Sequence, residues 1–375
     1  MNFIKLNYYN YNESNKQEEI NKLLIHEKKN KSNKNKILDY ISFAKIIACY
    51  GVILLHLNNI WSVNLKKKNK WMIANIYETF FYYSVPFFVL CIGATLLNFN
   101  ERYGLLEYNI KRFIKVFIPL IGWTVILYLY KVYILKNIRK ENFDLSSFLN
   151  YFFMSKLYHI FSSLHTFLVT YMLIPLLVYV EKNNKIKIYT YYFFILLITQ
   201  AAIPYILQLC GNKIIFIYKV NIGYLIYAFA GYIIHNQHFS NKIKIIIYIL
   251  GILSFFIHLI GTQILYFKYK KIKRIHKGYL NLPSILYSCA LFLFVKENSN
   301  FIFHILNRKY INNIGSLTLG PFFMHLTVTE TIEKTIKFPK FFGFSLLLKS
   351  FIIFSICIFI SSIIRKIPIL KILVP

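Results

Sequence analysis

Acidic residues are the scarcest class of charge here: 14 Asp and Glu stand against 45 Lys and Arg in 375 residues, for a formal net charge of +31. Glycine and proline are few as well, 13 and 9, which excludes a collagen-like or linker-like chain. The five cysteines, Cys49, Cys91, Cys210, Cys289 and Cys357, all lie inside apolar segments. They lack the spacing of a disulfide framework or a metal site, so each is expected to be a buried structural thiol. A phosphate-cradling P-loop, HExxH, GxSxG and CxxC are all missing. Soluble nucleotide and zinc chemistry are thereby disfavoured, and no metal is expected.

What is present is apolar. Hydrophobic residues make up 57% of the chain and aromatics 19%, while charged residues reach only 16%, below the roughly 25% of soluble domains. Several apolar runs exceed the ~18 residues that mark a membrane helix. Backbone groups inside lipid must be satisfied within the segment, and the short alternating strands of a barrel are not seen. The expected fold is therefore all-α, a polytopic transmembrane bundle. The basic residues are spread through the N-terminal tail and almost every loop rather than gathered in a compact domain. That distribution disfavours nucleic acid and points to the anionic headgroups of a lipid bilayer.

Residues 1–36 are polar and hold no continuous apolar run, as expected of a partly disordered cytoplasmic tail. Residues 37–366 form the membrane domain, and 367–375 a short C-terminal tail. Ten spans fit the pattern: 37–60, 74–98, 114–135, 160–180 and 187–209 in the first half. The second half contributes 214–235, 243–266, 279–296, 311–333 and 344–365. An even count with the tail inside places both termini in the cytoplasm. The distribution of Lys and Arg supports that orientation only weakly. One loop runs against it, for Phe267 to Gly278 carries six positive residues yet would lie outside. No internal repeat supports an inverted-repeat transporter.

The stretch Ile37–Trp61 holds two ionisable groups that a plain anchor would not need, Lys45 and His56. Eleven residues are about three helical turns, so both project from one face, some ~16 Å apart along the axis. Ionisable groups inside a span are costly and mark functional paths. His56 has the pKa range to take a proton near neutral pH, or it is an imidazole wetted at the helix end. Lys45 snorkels to the headgroups, or its fixed cation holds a phosphate. Lys111, Arg112 and Lys115 open the third span, either as a positive-inside anchor or as a docking site for a phosphorylated group. His325 sits mid-span in GSLTLGPFFMHLTVTE, where Gly315, Gly320 and Pro321 loosen the helix. Glu78, Glu330 and Glu333 are the acids within or at the edge of spans, and nothing in the sequence pairs them with a histidine.

Taken in order, these pieces resemble the acyltransferase-3 family, multispan enzymes that acylate cell-surface sugars. Lys45-x10-His56 is similar to the family's first-helix signature of Arg or Lys followed by His. SVPFFVLCIGATLL (Ser84 to Leu97) resembles its VPxFFxxSG segment, and KRFIKVFIPLIGW the basic opening of its third span. TYMLIPLL (Thr170 to Leu177) and IGSLTLGPFFMH (Ile314 to His325) match two later spans. Ser42 stands where the family usually carries an Asp, with Asp39 one turn earlier; Ile92 replaces a Ser, and Lys45 and Lys115 stand where Arg is commoner.

The resemblance implies transfer of an acyl group, acetyl foremost, from cytoplasmic acetyl-CoA to a hydroxyl of a surface polysaccharide or lipid-linked glycan, in the cell's plasma or inner membrane. It implies His56 as general base or acyl carrier, and Lys45, Arg112 and Lys115 as the donor-binding cations. His325 becomes a supporting catalytic group. The rival is a non-enzymatic exporter subunit of a polysaccharide pathway.

Overall fold

The computed structural model describes residues 39–58, 61, 68–134, 161–211, 221–335 and 342–375. The tail of residues 1–36 lies outside the described residues. Among those described there are helices and turns and no strand, as apolar segments in lipid require.

Among the described residues sixteen α-helical segments follow one another. The first five are α1 (Asp39–Leu57), α2 (Lys68–Phe80), α3 (Ser84–Leu96), α4 (Leu105–Arg112) and α5 (Ile118–Tyr133). The middle of the chain holds α6 (Phe161–Val178), α7 (Lys185–Leu196), α8 (Ile203–Leu209), α9 (Leu225–Asn236), α10 (Asn241–Phe256) and α11 (Thr262–Tyr269). The last are α12 (Leu282–Glu297), α13 (Ser299–Ile305), α14 (Arg308–Leu317), α15 (Leu319–Thr335) and α16 (Phe342–Lys366). Wide π turns at Phe113–Phe117, Leu197–Ala202 and Ile257–Gly261 join α4 to α5, α7 to α8 and α10 to α11 into continuous rods.

Among the described residues six rods are long and apolar enough to cross a membrane: Asp39–Leu57, Asn69–Glu101, Leu105–Tyr133, Lys185–Leu209, Asn241–Tyr269 and Gly343–Lys366. The chain is thus a multi-pass helical membrane protein; six such rods stand among the described residues where ten spans are expected, and part of the sixth expected span (214–235) lies outside those residues. The fourth expected span contains the shorter apolar helix His165–Val178. The described part of the sixth contains α9, 12 residues, and the eighth contains α12, 16 residues. The ninth is broken at Thr318, between α14 and α15. There Pro321 lacks the N–H that an unbroken helix would need. The third rod starts at Leu105 rather than near residue 114, so the basic residues lie inside it and not at its start.

The rods divide into interior and periphery. In the second, 78% of the most apolar stretch is buried, against 11% in Lys185–Leu209. On α10 the exposed hydrophobic residues are Ile243, Ile245, Ile246, Ile249, Leu250, Ile252, Leu253 and Phe256. In water such a face would be an aggregation surface; against lipid tails it costs nothing. Without a hydrophobic drive between helices, close packing depends on small residues. A Cβ on Gly93 of α3 would sit 1.9 Å from the Ala228 carbonyl oxygen of α9, and one on Gly231 of α9 would sit 2.1 Å from the Leu90 oxygen of α3. Only glycine lets these two backbones touch. Likewise a Cβ on Gly315 would meet Ser42 of α1 at 2.7 Å, so a small residue at position 42 suits this crossing. Span hydroxyls return to their own helix: Thr124 Oγ1 donates to the Leu120 carbonyl at 2.7 Å and Ser361 Oγ to that of Cys357 at 2.7 Å. The C-terminal residues fold back on α5, where the Leu373 carbonyl accepts from Trp123 Nε1 at 3.0 Å.

Candidate active site

α1 runs through the interior and carries Lys45 and His56 along one side. His56 lies on its last turn, half-buried, with its ring centroid 5.3 Å from that of His325 on α15 and the planes tilted by 44°. His325 is wholly buried. Its Nδ1 lies 2.8 Å from the Pro321 carbonyl oxygen and 3.1 Å from that of Phe322. A carbonyl only accepts, so Nδ1 holds the proton and Nε2 is left with its lone pair. Nε2 is buried and has no hydrogen-bond partner. The broken helix nearby is tied to α1, because Cys49 Sγ donates to the Thr318 carbonyl at 3.5 Å.

Lys45 is half-buried and faces α3 and the third rod, where it comes within electrostatic reach of Cys91 and Lys115. Arg112 ends α4 with its guanidinium between two rings, 5.7 Å from the Tyr108 centroid and 5.8 Å from that of Tyr171. Tyr108 is itself fixed by donating to the Tyr171 carbonyl at 2.8 Å. The Arg112 Nε is buried without a hydrogen-bond partner. Lys115 sits in the π turn and is exposed. Such a turn displaces one residue from the α ladder and recurs at functional sites. The charged groups that act on Lys115 are Arg112, Lys111, Arg365 and Lys45, all positive. Lys111 alone has an acid beside it, Glu107 at 2.5 Å. Among the described residues this is a cluster of like charges, which a polyanion would offset.

The structure therefore brings His56 to His325, and sets Lys45 and Arg112 each within electrostatic reach of Lys115. The carboxylates go elsewhere. Glu78 accepts from Asn58 Nδ2 at 3.1 Å, and Asn58 also donates to the Ala74 carbonyl at 2.8 Å. The charges that offset Glu78 are Lys277 and Arg274. Glu330 faces Lys131, and Glu333 forms an ion pair with Lys349. Asp39 accepts from Asn312 Nδ2 at 2.7 Å and lies 3.7 Å from Arg308.

His258 lies against a serine, but not as its base. Its Nε2 is 3.1 Å from Ser284 Oγ, but that hydroxyl donates to the Gly278 carbonyl at 2.7 Å. The histidine must then be the donor, and the pair is structural. Four cysteines are buried as expected, whereas Cys210 is exposed at the end of α8. No group of three or more metal-ligating side chains occurs among the described residues.

Four participants carried no usable signal in the sequence. Lys277 is one of six cations in a basic run, and Asn58 is a single amide after a helix. Tyr108 and Tyr171 are two aromatics among many in a chain with 31 tyrosines. Only the tertiary arrangement singles them out.

An all-helical bundle with six rods of membrane-crossing length among the described residues, an imidazole pair between α1 and α15 and a group of cations shared by α1, α4 and the π turn describes a multi-pass membrane protein. The chain belongs to the acyltransferase-3 family, whose acyltransferase domain matches residues 38–366. No curated protein and no solved structure matches it. Membership makes this a membrane acyltransferase and implies an acyl donor.

Proposed function

We propose that the protein moves an acetyl group from cytoplasmic acetyl-CoA to a hydroxyl of a surface polysaccharide or a lipid-linked glycan, in the cell's plasma or inner membrane with both termini in the cytoplasm. The single observation that supports this most is the packing of His56 against a histidine whose tautomer is fixed, on the same helix whose Lys45 faces a cluster of unbalanced cations.

Acetyl-CoA supplies a thioester carbonyl and a nucleotide rich in phosphate. Arg112, stacked between two tyrosines with an unused N–H, is suited to a phosphate oxygen, and Lys115 and Lys45 add charge along the way inward. The acceptor hydroxyl approaches from the His56 end. His56 takes the hydroxyl proton as the oxygen bonds to the acyl carbon; the carbon–sulfur bond breaks, and the proton goes on to the departing thiolate. His325 is the positioning partner. Its Nδ1–H is held by the Pro321 carbonyl, which leaves Nε2 with a lone pair on a ring centred 5.3 Å from that of His56.

The test is acetyl transfer from labelled acetyl-CoA by purified protein, together with the acetyl content of the surface glycan. His56→Ala is expected to lower transfer at least about 100-fold with the fold retained. Normal acetylation by that variant would remove His56 from the chemistry. Unchanged acetyl content with lost glycan export would establish the exporter role instead.

A further inference from the structure

The chain from Lys268 to Lys277 holds six positive residues and His276 without one acid. Basic loops ordinarily mark the cytoplasmic face. This one lies at the opposite end, where α1 finishes just past His56: the Arg274 guanidinium is 5.5 Å and the Lys277 ammonium 4.9 Å from the Trp61 ring centroid. The loop is also built rather than loose. Lys277 is 1% exposed and donates to Asn75 Oδ1 at 2.7 Å, an oxygen that also accepts from Trp61 Nε1 at 3.1 Å. Burial pushes the Lys277 ammonium below its ordinary pKa, and the Glu78 carboxylate opposes that. His276 Nδ1 pairs with Tyr205 Oη at 2.7 Å, and Asn281 Nδ2 donates to the Ile275 carbonyl at 2.6 Å. Trp71 stacks on Tyr266 at 3.8 Å.

Lys277 is therefore spent on holding the loop down, and Arg274, though exposed, also reaches the Trp61 ring and offsets Glu78. Lys268, Lys270 and Lys271 are exposed too, and the Lys273 ammonium lies 3.3 Å from the centroid of the exposed Tyr269 ring. Cations backed by aromatic faces suit sugars that bear negative groups, the ring offering a stacking surface and the cation a partner for phosphate or carboxylate.

We propose that Lys268–Arg274 is a platform for an anionic acceptor glycan, one carrying phosphate or carboxylate groups, at the His56 end of the bundle. The inference rests on the reading that this end receives the acceptor. It deepens that reading by naming the substrate class.

The test uses the full chain in phosphatidylcholine nanodiscs with three labelled probes: poly(glycerol phosphate), polygalacturonate and neutral dextran. At least one anionic polymer is expected to bind and dextran not to, with affinity falling as salt rises. A Lys270→Ala/Lys271→Ala/Arg274→Ala variant, which touches no residue of the imidazole pair, should lose about tenfold in that affinity. Binding unaffected by the triple variant would overturn the platform. So would an effect confined to phosphatidylglycerol-containing nanodiscs without any polymer, which would assign the loop to lipid headgroups. In a Cys210→Ser background, Lys271→Cys should react with an impermeant maleimide from outside the cell, and reaction from the cytoplasmic side alone also overturns the proposal. Release of CoA from acetyl-CoA, read on the same samples, separates the two ideas. Its absence alongside intact polymer binding counts against acetyl transfer, and its presence without polymer binding counts against the platform.

Discussion

Two groups of positive charge lie near opposite ends of α1, and the chain treats them differently. Beyond the His56 end, Lys277 is buried beside Asn75 and Trp61 with Glu78 as its counter-charge. Near the other end, the charges that act on Lys115 are all of its own sign. An ammonium whose balance is built in serves the fold, because removing either partner strands a buried charge. A cluster left unbalanced is held together by the surrounding helices at some cost, and its complement must arrive from outside. The difference separates a structural cation from a ligand-binding one more reliably than position in the sequence does.

The comparison can be broken most severely at the imidazole between the two groups. His56→Ala should cost at least about 100-fold in acetyl transfer while the melting temperature in detergent stays that of the parent. A comparable loss of folding would make His56 a packing residue. Next in size, Glu78→Ala should lower stability by about 3–5 kcal/mol, since Lys277 is then left charged and buried. A Glu78→Ala/Lys277→Met double variant should recover much of the loss, and thermal unfolding followed by circular dichroism would show it. If Glu78→Ala melts like the parent, the pair is not what holds the loop.

At the unbalanced cluster the sign should reverse. Arg112→Ala should leave stability unchanged or slightly raised, because like charges are relieved. The KM for acetyl-CoA should rise about 10- to 100-fold, the equivalent of a charged hydrogen bond worth about 1.5–3 kcal/mol, with kcat moving less. The smallest effect is expected at Lys111. Its pair with Glu107 joins half-exposed and exposed side chains one turn apart, so Lys111→Ala should change melting by no more than about 0.5 kcal/mol.

Much of the bundle was legible beforehand for a simple reason: apolar run length is a direct consequence of bilayer thickness. The first span was expected at 37–60 and the helix covers Asp39–Leu57; the fifth was expected at 187–209 and the rod covers Lys185–Leu209. The break near Gly315, Gly320 and Pro321 was legible too, since a missing N–H is written in the residue type. Lys45 and His56 share a helical face by arithmetic alone. What they meet is another matter. That Glu78 would face Asn58 and Lys277 rather than a histidine depends on how α2 and the 270–281 segment come together, and no periodicity encodes that. Nor does run length say what surrounds a helix: the residues of α9 and α12 are mostly buried against neighbouring helices, which apolar composition alone does not distinguish from lipid.

The π turn at Phe113–Phe117 has a further consequence when it is thought of as a matter of length. It contains one residue more than a regular helix needs and takes it up within one turn, so α4 and α5 keep their facing while the stretch around Lys115 is pushed out of the ladder. Deleting Val116 would let the turn close as a regular helix. Helix content and the core face of α5 would survive, while Lys115 lost the displaced position that the turn gives it. Donor affinity in this protein is thus open to change by gain or loss of a single codon, with no charged residue altered.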